Sequence, residues 1–483
     1  MNYKMIFNII GRILLTEAAL FALPLGVSLL YGERNTPLAF LIAAAAALLL
    51  GGIMVLLTRK GDRQAFAREG FIAVALAWIL LSLIGALPFY ISGEIKSFTD
   101  AVFETVSGFT TTGASILTDV EAMSHSLLFW RGFTHWIGGM GVLVLMMAII
   151  PNSSKGSMHM LRAEMPGPII GKLVPRARDT AMILYLIYLA LTITEILFLL
   201  AGGMPLFDSV VHTLGTAGTG GFGIKADSLG GYSPYHQWVI AIFMLLFGVN
   251  FNLYYLILIR KVGAVLKSQE LWFYGGFVLA STTAVTLNVL SVYENFGEAL
   301  RHSAFQVASI ITTTGYSTAD FNLWPDLSKG ILLLLMLIGG CAGSTAGGLK
   351  VSRIVLLFKI VKREIKRALH PRSVSKVRFE GHRVEETVLD SVSGYFAIYA
   401  FCLVLIFLLL SFEPFGLETN LSAAIACFNN VGPGFGGVGP LSSYAAYSPL
   451  SKWGLSFAML LGRLEILPLI IALSPASWNK KYR

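Results

Sequence analysis

Charge is what this chain has least of. Asp, Glu, Lys and Arg make up 13% of its 483 residues, against about 25% in soluble globular proteins. That scarcity argues against a string of water-soluble domains, which the length alone would suggest. Cysteine is scarce too: Cys341, Cys402 and Cys427 lie in or beside apolar segments. They have neither metal-ligand spacing nor the density of a disulfide framework. Clustered His, Asp and Glu inside apolar runs, such as His-Glu-x-x-His, are missing, which disfavours a membrane-embedded enzyme. No small-residue cleavage site follows the first apolar stretch, so it reads as a retained span and not as a signal peptide.

What the chain has is apolar length. Hydrophobic residues make up 55% of it and the mean hydropathy is +0.72. A helix needs about 20 mostly apolar residues to cross the hydrocarbon core. Ten candidate spans meet that need, at roughly 6–31, 38–58, 71–92, 126–150, 180–202, 237–260, 271–293, 329–357, 389–412 and 450–474. The net charge is +9, a balance that in a soluble protein points to nucleic acid. Here most of the Lys and Arg sit in 59–70, 151–179, 260–270, 350–387 and the C-terminal tail. These fall on every second connection, the membrane pattern, and place both termini in the cytoplasm.

The alternate connections carry about one base each, and four of them are long, apolar and rich in glycine. All four follow one pattern: a short helix-like run, a Gly/Thr-rich stretch, then a polar turn. The rich stretches are Thr110–Ser115, Gly215–Phe222, Ile311–Ser317 and Asn429–Phe435. The short runs are too short to span but suit re-entrant helices. Irregular backbone at membrane depth is tolerated only where protein buries it or a water-filled cavity accepts it. Four such segments between spans converge on a common axis. The expected fold is therefore an all-α polytopic membrane protein with ten transmembrane helices. Two leading helices (1–65) precede four pseudo-symmetric helix–pore loop–helix repeats (66–155, 156–265, 266–370 and 371–483).

The composition of these stretches suits a dehydrated monovalent cation, which needs oxygen ligands in place of water. Rings of backbone carbonyls can supply them. Glycine lets carbonyls turn inward without a Cβ clash, threonine adds oxygens and a stiff χ1, and the C-terminal ends of the short helices favour positive charge. The candidate ligands are Thr111, Thr112 and Gly113; Gly218, Thr219 and Gly220; Thr313, Thr314 and Gly315; and Asn430, Val431 and Gly432. Gly434 offers a rival register in the fourth stretch. Glu104, Asp208 and His212, on the short helices, either add negative potential at the outer mouth or cap and pack; packing is the better reading for His212.

The eighth span is interrupted by Gly339, Gly340, Gly343, Ser344, Thr345, Gly347 and Gly348, followed by Lys350. Each glycine costs a helix roughly 1 kcal/mol relative to alanine. An irregular loop below the filter that blocks the path is one reading. Tight helix packing through the Gly-x-x-x-Gly spacings of Gly339, Gly343 and Gly347 is the other. Arg463 lies near the middle of the last span, where a cation is costly. Glu465, two residues on, does not share its helix face. Arg463 is either half of a buried structural pair or a fixed positive charge in the path. Arg12 and Glu17 read as a local pair in the first span, and 359–383 as a basic, helix-prone stretch suited equally to a membrane surface or a partner.

These residues resemble the superfamily of K⁺ transporters that includes the Trk, Ktr and plant HKT proteins, and within it the bacterial TrkH type. The resemblance covers nearly the whole chain. Its most specific stretches are Thr110–Ser115, Thr312–Ser317, Asn429–Gly437 and Gly462–Glu465. Thr313-Thr314-Gly315-Tyr316-Ser317 looks like the Thr-Val-Gly-Tyr-Gly signature of K⁺ channels. The resemblance carries the family's filter glycine onto Gly113, Gly220, Gly315 and Gly432, and places the glycine loop and Arg463 at a gate. It implies transported K⁺ with no organic cofactor, a homodimer with one pore per protomer, and a cytoplasmic nucleotide-binding regulatory ring of the TrkA/RCK type. It also implies a bacterial inner membrane. An ion-coupled K⁺ symporter is the competing reading. It would call for an ionisable midplane site made by inverted repeats, whereas these repeats run parallel.

Overall fold

The computed structural model describes residues 1–58, 67–141, 177–372 and 376–478. Most of the basic segments 59–70 and 151–179, the end of the span expected at 126–150, and the bases of the tail lie outside the described residues. Apart from one two-stranded hairpin, Arg378–Phe379 paired with His382–Arg383, regular structure among the described residues is helical. Among the described residues, five helices are long and apolar enough to cross a membrane, or six if one bent pair is a single span.

The chain opens with two antiparallel spans, Tyr3–Leu30 and Thr36–Thr58. They touch through glycine: a Cβ on Gly11 would lie 2.8 Å from the Gly51 carbonyl oxygen, and one on Gly51 2.7 Å from that of Gly11. Close backbone approach of this kind is how apolar helices associate in lipid. Arg12 and Glu17 do not form an ion pair among the described contacts. Glu17 is buried beside Gly85 instead.

Four short helices then recur: Phe98–Phe109, Leu206–Gly218, Phe296–Ile311 and Leu417–Phe428. Their starts are set locally. Ser97 accepts the Asp100 amide and Asn295 the Glu298 amide, and each helix has an acidic residue in its first turn, where it complements the helix dipole. At 12 to 16 residues they rise about 18 to 24 Å, short of the length a span needs. Their C-terminal halves are buried almost residue for residue. They are the four re-entrant helices.

Each is followed by a helix that stops after one similar length: His125–Gly139, Pro234–Phe247, Asp326–Ile338 and Pro449–Arg463. The span expected at 237–260 is therefore not straight. It breaks at Gly248–Asn250 and resumes as Phe251–Leu258 at 90°. The last span breaks after Arg463, where Glu465 and Ile466 take φ of 56° and 66°, and resumes at Leu467–Leu473. The third resumes only at Val351–Leu369. The helix-prone stretch expected over 359–383 is helical only to Leu369 and then turns into the hairpin.

Candidate ion pathway

The four re-entrant helices end in the same way. Thr111, Thr219, Thr313 and Asn430 take left-handed φ of 55°, 55°, 56° and 55°. Their amides donate to the carbonyl three residues back, at 3.0, 3.0, 3.1 and 3.3 Å. The next amides, of Thr112, Gly220, Thr314 and Val431, reach five residues back to Ser107, Gly215, Ser309 and Ala426 at 2.8, 2.9, 2.8 and 2.8 Å. This double bond pattern is the Schellman ending, in which glycine usually takes the left-handed position. Threonine there is an outlier, and three of the four positions are threonine. Strain of this kind persists where surrounding structure over-determines it, commonly at functional sites.

The reversal brings four glycines face to face. Gly113, Gly221, Gly315 and Gly432 have φ of 79°, 76°, 84° and 98°. A Cβ on Gly113 would collide with the Gly220 carbonyl, one on Gly221 with Thr314, one on Gly315 with Val431, and one on Gly432 with Thr112. The contacts run from the first segment to the second, third and fourth and back to the first, so the carbonyls of Thr112, Gly220, Thr314 and Val431 form a closed cycle. One cavity touches all four glycines.

This geometry moves the second segment by one residue. Gly221, not Gly220, occupies the position of Gly113, Gly315 and Gly432, and Gly220 matches Thr112, Thr314 and Val431. Gly218 ends its helix against the His135 carbonyl and matches Thr110, outside the cycle. In the fourth segment Gly432 holds the position, whereas Gly434 packs behind it against Ser422 and Val438.

Side chains stiffen the backs of the segments. Thr110 and Thr112 share a hydroxyl bond of 2.8 Å, Thr312 and Thr314 one of 2.7 Å. His135 joins two repeats: Nδ1 lies 2.8 Å from the Gly108 carbonyl, and Nε2 takes the Phe222 amide at 3.2 Å. The tautomer with the proton on Nδ1 satisfies both. Arg131 joins the same repeats nearer the mouth. Its Nε donates to Glu104 at 2.8 Å and its Nη1 to the Gly223 carbonyl at 3.1 Å, with both side chains buried. Glu104 is therefore neutralised within the scaffold and adds no free negative potential. Asp208 accepts the Tyr232 hydroxyl at 2.7 Å. The His212 ring is buried near those of Tyr232 and Tyr316.

On the other side of the cycle lies the glycine loop between Ile338 and Val351. It is irregular, with φ of 74°, 71° and 76° at Gly339, Gly343 and Gly348, so its Gly-x-x-x-Gly spacings do not form a helix face. The Gly347 amide donates to Thr313 Oγ1 at 2.6 Å and the Gly348 amide to the Asn429 carbonyl at 3.1 Å. The loop therefore sits directly against the third and fourth of these segments. It also meets the second-repeat break: Cys341 donates to Gly248 and Phe251 to Gly343, both at 3.0 Å. Lys350 bonds the Ala346 carbonyl within the loop. Arg463, at the fourth break, donates to Thr345 of the loop at 3.0 Å, to Gly139 at 2.9 Å and to Gly138. Glu465 is engaged by Arg353, at 2.7 and 3.0 Å. The end of the first of these helices and the breaks in the other three thus satisfy one another's backbone groups in one layer. A cavity there is lined by Gly347, Lys350, Asn430 and Arg463.

Residues 37–481 match the family model for TrkH, described as a cation transport protein. The chain belongs to the TrkH family. It is 37% identical to the Trk system potassium uptake protein TrkH of Salmonella typhimurium, covering 99% of this chain and 100% of the relative. It is 36% identical to TrkG of Escherichia coli, covering 94% of each. Its fold matches the crystal structure of the potassium transporter TrkH from Vibrio parahaemolyticus with a TM-score of 0.88 at 33% identity, over 99% of this chain and 100% of that one. The expected superfamily and the all-α fold of pseudo-symmetric repeats both hold.

In this TrkH-family chain the sequence left Arg131, His135, Glu270 and Arg353 unassigned, because each acts on groups far along the chain. One signal was available for the register of the second segment: an aromatic follows both Gly221 and Gly315, namely Phe222 and Tyr316. The Arg131–Glu104 pair gives a test of the scaffold. Removing one partner strands a buried charge, so Arg131→Ala is expected to cost about 3–5 kcal/mol of stability. The double change Arg131→Met, Glu104→Gln should cost clearly less. Thermal unfolding of the two purified variants in detergent checks the order.

Proposed function

We propose that this chain is the K⁺-conducting subunit of a Trk-type uptake system, working as a gated, channel-like pore in the bacterial inner membrane. Both termini lie in the cytoplasm in this reading. The observation that carries it is the closed cycle in which each filter glycine packs against the carbonyl of the next repeat. Thr112, Gly220, Thr314 and Val431 present those carbonyls, which replace the hydration shell of K⁺. Four helix C-termini aim their negative ends at the same place. Backbone rings of this kind need no coupled protonation, which favours a channel over a symporter. The matched names of the relatives support K⁺ as cargo. The proposal includes a homodimer and a cytoplasmic nucleotide-binding subunit of the TrkA/RCK type that controls opening through the glycine loop.

Gly315→Ser and Gly113→Ser test the filter. A side chain there displaces the neighbouring carbonyl and should lower the preference for K⁺ over Na⁺. Reversal potentials with the two ions on opposite sides of a bilayer measure it. An unchanged permeability ratio in folded protein rejects the filter assignment. The same recordings separate channel from symporter, because a coupled carrier cycle does not produce resolvable unitary currents.

A further inference from the structure

Two carboxylates stand in series behind the glycine loop. Glu270, in the first turn of helix Gln269–Val289, is buried. Its Oε1 accepts the Ala342 amide at 2.7 Å and the Ser352 amide at 3.2 Å. Ala342 belongs to the loop, and Ser352 opens the helix Val351–Leu369 that follows it. One oxygen thus ties the entering limb of the loop to its exit helix. A carboxylate at that place also complements the N-terminal dipole of the exit helix.

Glu380 repeats the arrangement one layer further out. It sits at the tip of the hairpin, with a left-handed φ of 51°. Its Oε1 accepts the Glu270 amide at 2.9 Å and the Ser268 hydroxyl at 3.1 Å. Lys359 fastens the same junction, its Nζ donating to Gln269 Oε1 and to the Arg378 carbonyl, both at 2.7 Å. Phe379 and Val377 are buried in one apolar cluster with Val355 and Leu356 of the exit helix. The outer residues Arg378, His382 and Arg383 remain exposed.

We infer that Glu270 is the positioning residue that latches the glycine loop, and that the hairpin holds this latch in register through Glu380. The inference rests on the reading of the loop as the obstruction in the path. Movement of the hairpin away from the helix start removes the Glu380 bonds and loosens the turn that carries Glu270. The two amide bonds to the loop and exit helix then weaken together. The hairpin is in this way a cytoplasmic lever on a loop that it does not itself touch through Glu380.

Cys341 supplies a reporter inside the loop, because it is a buried free thiol. In full-length protein carrying Cys402→Ser and Cys427→Ala, reconstituted in liposomes, Cys341 is labelled with a small methanethiosulfonate reagent while Rb⁺ flux is followed in parallel. Losing both amide hydrogen bonds to Glu270 should raise the labelling rate roughly tenfold in Glu270→Ala. Glu380→Ala should raise it by a smaller factor. Glu270→Gln keeps an acceptor oxygen and should stay near the parent. Should Glu270→Ala not fold, Glu380→Ala leaves Glu270 in place and carries the test. Unchanged labelling in the folded alanine variants overturns the latch and leaves the gate reading standing. Faster labelling without added flux supports the latch but removes the loop as the obstruction.

Discussion

Deleting residues 340–346 is expected to raise Rb⁺ flux through the reconstituted protein by about tenfold or more, without any partner subunit. Tenfold corresponds to about 1.4 kcal/mol of lost preference for the closed arrangement. The expectation rests on where the loop lies. Its Gly347 amide bonds the hydroxyl of Thr313, and its Gly348 amide bonds the Asn429 carbonyl, so it covers the inner side of the carbonyl cycle. The deletion can also be closed without moving the flanking helices. The loop leaves and returns at one place: a Cβ on Gly348 would lie 2.7 Å from the Gly339 Cα, and Leu349 and Lys350 donate back to Leu337 and Ile338 at 3.1 and 2.9 Å. Joining Gly339 to Gly347 bridges residues that already touch, as at the neck of an Ω-loop. Flux of ⁸⁶Rb⁺ into liposomes, with dimer content and thermal unfolding checked beside it, decides the matter. Flux that falls while the fold persists would make the loop a structural brace.

The parts of the molecule that the sequence made legible are those written in composition and local spacing. Runs of apolar residues mark the spans, and a short amphipathic run ahead of a Gly/Thr stretch marks a re-entrant helix. Five glycines in ten residues mark the broken third repeat. The misplaced features have no such local mark. The break at Gly248–Asn250 contains no proline. It is held open by distant bonds, from Cys341 to Gly248 and from Phe251 to Gly343. Gly220 and Gly221 are indistinguishable by type. Only the contacts of Gly221 with Thr314, and of Gly113 with the Gly220 carbonyl, assign them their places. Arg131 and His135 look like ordinary costs of a polar residue in an apolar helix until their partners, 27 to 92 positions away, are known.

Arg463 is where these two kinds of information meet. Its position in an apolar span singles it out in the sequence, and its contacts define what it does there. The guanidinium donates to Gly138 and Gly139 at the end of the first-repeat helix and to Thr345 of the loop. It therefore pins the loop to the end of the first-repeat helix and lines the cavity beside it; in the proposed pore this places a positive charge in the path. At 4 Å and an effective dielectric of 20, such a charge acts on a passing cation with about 4 kcal/mol. Arg463→Ala removes both the barrier and the pin, and its Rb⁺ flux should rise by about tenfold or more. Arg463→Lys keeps the charge but replaces a planar fork with a single ammonium, which cannot reach both sides with the same geometry. Its flux should fall between alanine and the parent. Glu465 separates this account from a purely structural one. Arg353 holds that carboxylate from two nitrogens, so Arg463→Ala does not strand it, whereas Arg353→Ala does. Thermal unfolding should therefore show the larger loss in Arg353→Ala, and liposome flux the larger gain in Arg463→Ala. A destabilised Arg463→Ala with parental flux would take Arg463 out of the conduction mechanism and leave it a packing element of the layer where these helices end.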